Sequence, residues 1–217
     1  MGKIACVDLG DTLVAFEPRR YQLIYDFLRD NGYNVSLLKV YRAYVRSLSK
    51  SNFPDDNGVN PFDVKDFLYE LGLDPSNEKL TKKISSISRG SEYYIYDDAI
   101  DFLEYLRSEG YKIALVSNAT PRARDVVYSL GLHKYLDILI FSFEVGVVKP
   151  NPKIFTYVRE KLGEPDFHLG DIAEMDIQGA KRARLKRGIL LDRFGFYGTD
   201  IRTLKDVIRF LEALRSV

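Results

Sequence analysis

Apolar positions along this chain fall into two rhythms. In the first, they recur every three to four residues: Tyr21, Ile24, Tyr25 and Leu28; Leu37, Tyr41, Tyr44 and Leu48; Val64, Phe67, Leu68 and Leu71; then Leu80, Ile84 and Ile87. That spacing predicts consecutive amphipathic helices, separated by breaks at Asn31-Gly32, at 54–61 (PDDNGVNP) and at Asp74-Pro75. In the second, short continuous apolar runs alternate with helical patterns. Runs at 4–7, 112–117, 137–142, 166–171 and 188–192 predict strands buried on both faces. Helical patterns at 98–109, 121–130, 151–162, 177–186 and 204–214 lie between and after them. Helix and strand in alternation mean a parallel sheet, which the isolated first strand must join. The expected fold is therefore α/β, a Rossmann-like core formed by 1–13 and 93–217, with an all-helical domain inserted over 14–92.

Composition narrows the function more by exclusion. With 217 residues, 46% apolar and 29% charged, the chain can bury a sizeable core. A formal charge of +1 gives no footprint for nucleic acid or an anionic membrane. No apolar run approaches membrane-spanning length, and the start turns acidic too soon for a secretory leader. Two histidines and one cysteine leave little for a zinc site, and Cys6, inside an apolar run, reads as a small core residue. The expectation is a soluble, cytoplasmic protein.

The strands end on polar residues: Asp8, Ser117, Ser142, Asp171 and Asp192. In a parallel sheet these share one edge, where open α/β folds gather their ligands. In chain order, DLGDTL at 8–13, SN at 117–118, VKPNPKIF at 148–155 and GDIAEMD at 170–176 resemble the four motifs of the haloacid dehalogenase (HAD) superfamily of hydrolases. The block 14–92 resembles the helical (C1-type) cap that such proteins insert after the first motif. The resemblance implies a phosphatase acting on a small phosphorylated compound. Asp8 would be the nucleophile, forming an aspartyl phosphate. Ser117 and the backbone amide of Asn118 would hold the phosphoryl oxygens, and Lys149 would be the fixed cation. Mg²⁺ would be held by Asp8, the Gly10 carbonyl and Asp171, with Asp176 orienting a metal-bound water. The Lys149-Pro150 bond is expected to be cis by the same resemblance. Family members pair through either domain, and the sequence does not choose whether this chain forms a homodimer.

The pattern breaks at one place. Phosphatases of the family carry a second aspartate two residues beyond the nucleophile, as general acid and base. Here that position is Gly10, and the aspartate stands one step on, at Asp11. Loss of a general acid typically costs about 10²–10⁴ in rate. Four readings stay open. Asp11 substitutes, aided by the freedom of Gly10. Or the substrates carry good leaving groups. Or the chain belongs with the 2-haloacid dehalogenases or the phosphonatases, the latter using a cap lysine such as Lys39 or Lys50. Or it is a catalytically weakened ligand-binding or interaction protein. The intact GDIAEMD favours a metal-dependent phosphatase.

Other features rank lower. Arg42 and Arg46 share a helix face and are candidates for an anionic substrate, although solvated arginines explain them as well. The insert's aromatic residues read as its core. The basic run 181–187 reads as a solvated helix face, His168 as a core residue, and FGFYG at 194–198 as a loop bordering the site or covering the sheet edge.

Overall fold

The structure, a computed structural model, describes residues 2–88, 90 and 92–214. Residues 1, 89, 91 and 215–217, which the expected core and insert include, lie outside the described residues. The chain opens with β1 (Lys3–Val7) and β2 (Val14–Glu17), followed by α1 (Arg20–Asp30), α2 (Leu37–Ser49), α3 (Val64–Leu71) and α4 (Glu78–Ser86). Next come β3 (Glu92–Ile95), α5 (Ala99–Ser108), β4 (Tyr111–Ser117), α6 (Arg122–Ser129), β5 (Ile138–Phe141) and α7 (Ser142–Val145). Last are α8 (Thr156–Leu162), β6 (Phe167–Gly170), α9 (Gln178–Arg182), β7 (Arg187–Leu190) and α10 (Leu204–Ala213).

Two compact units result. One comprises Met1–Ala15, Asn52–Asn60 and Tyr94–Val217; the other comprises Phe16–Ser51 and Pro61–Tyr93. In the first unit the described strands form a five-stranded parallel sheet in the order β5-β4-β1-β6-β7, which puts β1 at the centre. Both faces of β1 are covered, as its unbroken apolar run requires. Ile4 and Cys6 pack with Ala114, Val116, Phe155, Val158 and Ala180 in one core, while the alternate residues Ala5 and Val7 are equally buried. The second unit buries Ile24, Leu28, Val40, Phe67, Leu68, Leu71, Leu80 and Ile84 along its helical stripes. Ser36, Asp63 and Asn77 cap its helices by accepting bonds from backbone amides of the first turn.

Some elements differ from the sequence pattern. Val14–Glu17 and Glu92–Ile95 pair as a two-stranded sheet, segments too short for their periodicity to register. Ser142 begins α7 instead of ending β5. The expected helix 151–162 starts as a 3₁₀ turn over Pro152–Phe155. The expected helix 177–186 starts earlier, with a π turn over Ala173–Ile177, and α9 stops at Arg182 before Arg184 turns left-handed (φ 57°). Within 181–187, Ala183 and Leu185 are buried and the charged residues exposed, a solvated face. No helix among the described residues is long and apolar enough to cross a membrane.

Candidate active site

Sheet register assembles the site. Val7 pairs with Leu115 on one side and Leu169 on the other, so the residues just beyond leave the sheet together. These are Asp8 just after β1, Ser117 at the end of β4 and Asp171 after β6. The amide of Asp8 still donates to the carbonyl of Leu169 at 2.9 Å, so its carboxylate emerges from the rigid central strand. Ser117 is 4% exposed.

Lys149 comes from the loop after α7, through a cis Lys149-Pro150 bond as expected, and is 2% exposed. Its Nζ lies 2.6 Å from Asp8 Oδ1 and 2.5 Å from Asp176 Oδ1. Asp176 is fixed from two further directions. His168 Nε2 lies 2.8 Å from Oδ1, and the Ile172 amide donates to Oδ2 at 3.0 Å. The π turn brings this about, since it folds the Asp176 carboxylate back over the start of its own turn. Gly170 completes the fit: a Cβ there would stand 2.2 Å from Asp176 Cγ.

Burial opposes every charge in this cluster, and the pairings decide the outcome. Burial would lower the Lys149 pKa, but Asp176 and Asp8 hold it above the ordinary lysine value. Burial would raise Asp176, but Lys149 and the His168 bond hold it well below the carboxylate range. The Asp8 pKa is raised, because burial and the charge of Asp176 outweigh Lys149. Burial keeps the His168 pKa low, so its ring is neutral near pH 7, and it packs edge-on to Phe155. A neutral ring with its proton on Nε2 donates to Asp176. His168 is thus a core residue, as its place in a buried strand suggests, but one aimed at the site.

The Gly10-Asp11 turn has a specific geometry. Asp11, not Gly10, adopts a left-handed backbone (φ 49°), so the freedom the sequence assigns to Gly10 is used at the next position. Aspartate tolerates this conformation better than most residues other than glycine. The Asp11 amide donates to the Val14 carbonyl at 2.8 Å, and Tyr96 Oη donates to Asp11 Oδ1 at 3.0 Å. The Arg193 guanidinium stacks 3.9 Å from the Tyr96 ring centroid, bonds Asp98 at 2.8 Å and donates to the Thr12 carbonyl at 2.8 Å.

Asp171 is half-buried, its carboxyl pushed well above the ordinary range by burial, then by Asp11, Asp176 and Asp8. Asp8 and Asp176 share the one ammonium while Asp11 and Asp171 add their carboxyls nearby, an imbalance that an added cation would relieve. Among the described residues no three His, Cys, Asp or Glu side chains cluster as a metal cage. Asp8, Asp171 and the Gly10 carbonyl nevertheless offer hard oxygen donors, the set that suits Mg²⁺, an ion that keeps several of its waters. The residues present fit that ion.

A family model described as haloacid dehalogenase-like hydrolase matches residues 3–184. The chain belongs to the haloacid dehalogenase-like hydrolases. The glyceraldehyde 3-phosphate phosphatase of Methanopyrus kandleri is 31% identical over 97% of this chain and 99% of its own length. Among solved structures, an HAD phosphatase from Thermococcus onnurineus is 27% identical with a TM-score of 0.60, covering 96% of this chain and 97% of that one. A 2-haloacid dehalogenase from Pseudomonas syringae shares the fold, with a TM-score of 0.58 at 20% identity over 99% of this chain and 100% of that one.

In this HAD-like hydrolase the structure brings Asp8, Asp11, Ser117, Asn118, Lys149, Asp171 and Asp176 together within one unit. Arg42 is on the exposed side of α2 in the other unit, where Arg46 pairs with Glu70 at 3.5 Å. Several residues that support the site carry no sequence signal for it. Asn60 bonds Asn118 and the Lys149 carbonyl, across 58 and 89 residues of chain. Tyr96 and Arg193 meet Asp11 and Thr12 from separate loops. Tyr197, in the FGFYG loop, donates to Glu174 at 2.6 Å and accepts from the Ala173 amide at 3.2 Å, so that loop borders the GDIAEMD turn. Asp192, expected at the site's edge, instead accepts from the amides of Tyr197, Gly198 and Thr199 to shape the same loop.

Proposed function

We propose that this hydrolase is a Mg²⁺-dependent phosphatase acting on a small phosphorylated compound through an aspartyl-phosphate intermediate, with the helical insert serving as its C1-type cap. The observation that carries the reading is the buried ammonium of Lys149, 2.6 Å from Asp8. A carboxylate attacking an anionic phosphate needs a fixed positive charge, and a cation at this point neutralises both. The name of the Methanopyrus relative supports a small phosphate ester as substrate. The lone cysteine, buried Cys6, with its thiol pKa pushed up by burial, suits a cytoplasmic setting.

In this mechanism Asp8 attacks phosphorus, the bond to the leaving oxygen breaks, and Asp11 gives that oxygen a proton. Water then attacks the acyl phosphate, its proton passing to Asp11, and Asp8 is regenerated with release of phosphate. Ser117 Oγ and the Asn118 amide hold the phosphoryl oxygens. Lys149 orients Asp8 and opposes the rise that burial gives its pKa, and Tyr96 orients Asp11. When bound at Asp8, the Gly10 carbonyl and Asp171, with Asp176 behind them, Mg²⁺ supplies the remaining positive charge. Arg42 is the insert's candidate for contact with the substrate. A route through the Lys50 amine is disfavoured, since a Schiff base needs a neutral amine and Lys50 is paired with Asp66 at 2.5 Å and Glu70 at 3.3 Å.

Gly10 favours a second reading, a weakened enzyme that mainly binds phosphorylated ligands. Hydrolysis of p-nitrophenyl phosphate with and without Mg²⁺ separates the two, because an aryl leaving group needs little acid assistance. Turnover that requires Mg²⁺ and vanishes in Asp8→Asn supports the phosphatase. Asp11→Asn is expected to slow alkyl phosphates by about 10²-fold or more while affecting the aryl ester less. No turnover above background by the native chain would overturn the reading.

A further inference from the structure

The segment 52–60 lies between α2 and α3 in sequence, yet it packs with the α/β unit. Its attachment is specific. The Asn52 carbonyl accepts from the Val148 amide at 3.3 Å and from Asn151 Nδ2 at 3.2 Å. The Gly58 carbonyl accepts from Ser142 Oγ at 2.5 Å. Gly58 has φ 87°, and a Cβ there would stand 2.3 Å from Phe143 Cβ and 3.2 Å from the Ala119 carbonyl. Only glycine lets the backbone come this close.

The approach delivers Asn60, which is 6% exposed. Its Nδ2 donates to the Lys149 carbonyl at 3.1 Å, and its Oδ1 accepts from Asn118 Nδ2 at 2.6 Å. Asn118 brackets the same residue, with Oδ1 accepting from the Lys149 amide at 2.8 Å and Nδ2 donating to the Lys149 carbonyl at 2.9 Å. Two carboxamides thus clasp the backbone of the residue whose ammonium lies between Asp8 and Asp176. A buried carboxamide is unfavourable unless its polar atoms are satisfied, and an apolar side chain would fill space at lower cost. Here donor and acceptor are both spent on Lys149 and its neighbour.

We propose that Asn60 is a positioning residue for Lys149, fixing its backbone so that the ammonium stays between the two aspartates. The proposal rests on Lys149 being part of the hydrolytic site. Small displacements of a reacting group cost rate steeply, as much as about 10²-fold for about 1 Å.

The test compares the native chain with Asn60→Ala, Asn60→Asp and Asp56→Ala, an exposed position in the same loop. Asn60→Asp is nearly isosteric and keeps an acceptor for Asn118, but loses the donor to Lys149; it stands in if the alanine variant does not fold. For p-nitrophenyl phosphate, both Asn60 variants should lose about tenfold or more in kcat with KM changed less than about threefold. Asp56→Ala should match the native chain. Independently of activity, brief acetic anhydride labelling read by peptide mass spectrometry should show Lys149 protected in the native chain. In the Asn60 variants it should label several-fold faster, with the other lysines unchanged. Native kcat and native Lys149 protection in both variants would overturn the proposal, as would a uniform rise in labelling at all lysines, which marks general loosening. If the native chain does not hydrolyse phosphate esters, the phosphatase reading fails. The Lys149 labelling then decides the positioning role alone, a selective rise sustaining it.

Discussion

Lys149→Met is the most direct perturbation of the buried charge cluster. Methionine keeps most of the stem volume, so the cavity contribution is small and the effect is chiefly electrostatic. The lysine side chain is 2% exposed, Asp176 2% and Asp8 10%, so solvent screens the pairs weakly. Removing one partner of a buried pair costs about 3–5 kcal/mol, because the remaining charge loses its compensation. Asp176 keeps His168 and the Ile172 amide, whereas Asp8 loses its ion-pair partner. The variant should therefore lose about 3–5 kcal/mol at pH 7, measured by urea unfolding in EDTA so that no divalent cation replaces the ammonium. With a slope near about 3 kcal/mol/M, the midpoint falls by about 1–1.7 M. The pH dependence carries a definite sign. In the native chain, the depressed pKa of Asp176 contributes stability above the ordinary carboxylate range, lost as pH falls through its folded value. Asp8, with a raised pKa, does the reverse, costing stability as pH climbs from the unfolded carboxylate value through the folded one. Without Lys149, burial and mutual repulsion raise both carboxyls, so acidification relieves them. At pH 5 the penalty should be smaller than at pH 7 by about 1 kcal/mol or more. A penalty below about 1 kcal/mol at pH 7, the size of a solvated pair, or one equal at both pH values, would refute the reasoning.

The other predictions concern the supports of Asp176. Gly170→Ala drives a Cβ into the Asp176 carboxylate; it should lower stability by about 1–3 kcal/mol and abolish most p-nitrophenyl phosphate turnover, and native kinetics would show that Asp176 need not sit there. His168→Leu removes the donor to Asp176 Oδ1 and should cost about 1–3 kcal/mol, read by thermal or urea unfolding. His168→Gln, which can still donate, should recover part of that loss; equal stability of all three proteins would make the bond irrelevant.

Much of the site was legible because it is written at strand ends. Asp8, Ser117 and Asp171 each close a short apolar run, and once the sheet is parallel they must meet at one edge. Lys149 and Asp176 were legible through their motifs. The residues around them were not. His168 is one polar position in a buried strand, and its value lies in the π turn that folds Asp176 back to it. The left-handed turn at position 11 is a property of the backbone path, which holds aspartate where glycine is usual, so the sequence alone put the flexible point one residue early.

The chain's own periodicity determined the α/β class, the helical character of the insert and the edge at which polar residues gather, since helix and strand differ in the spacing of their buried faces. Tertiary structure alone decided that segment 52–60 belongs with the α/β unit, that Asn60 clasps Lys149, and that Tyr96 and Arg193 hold the Asp11 turn. Those contacts join residues far apart in the chain through single hydrogen bonds and ring stacks. Such contacts leave no periodic trace; they exist only where the fold brings the backbone segments within reach.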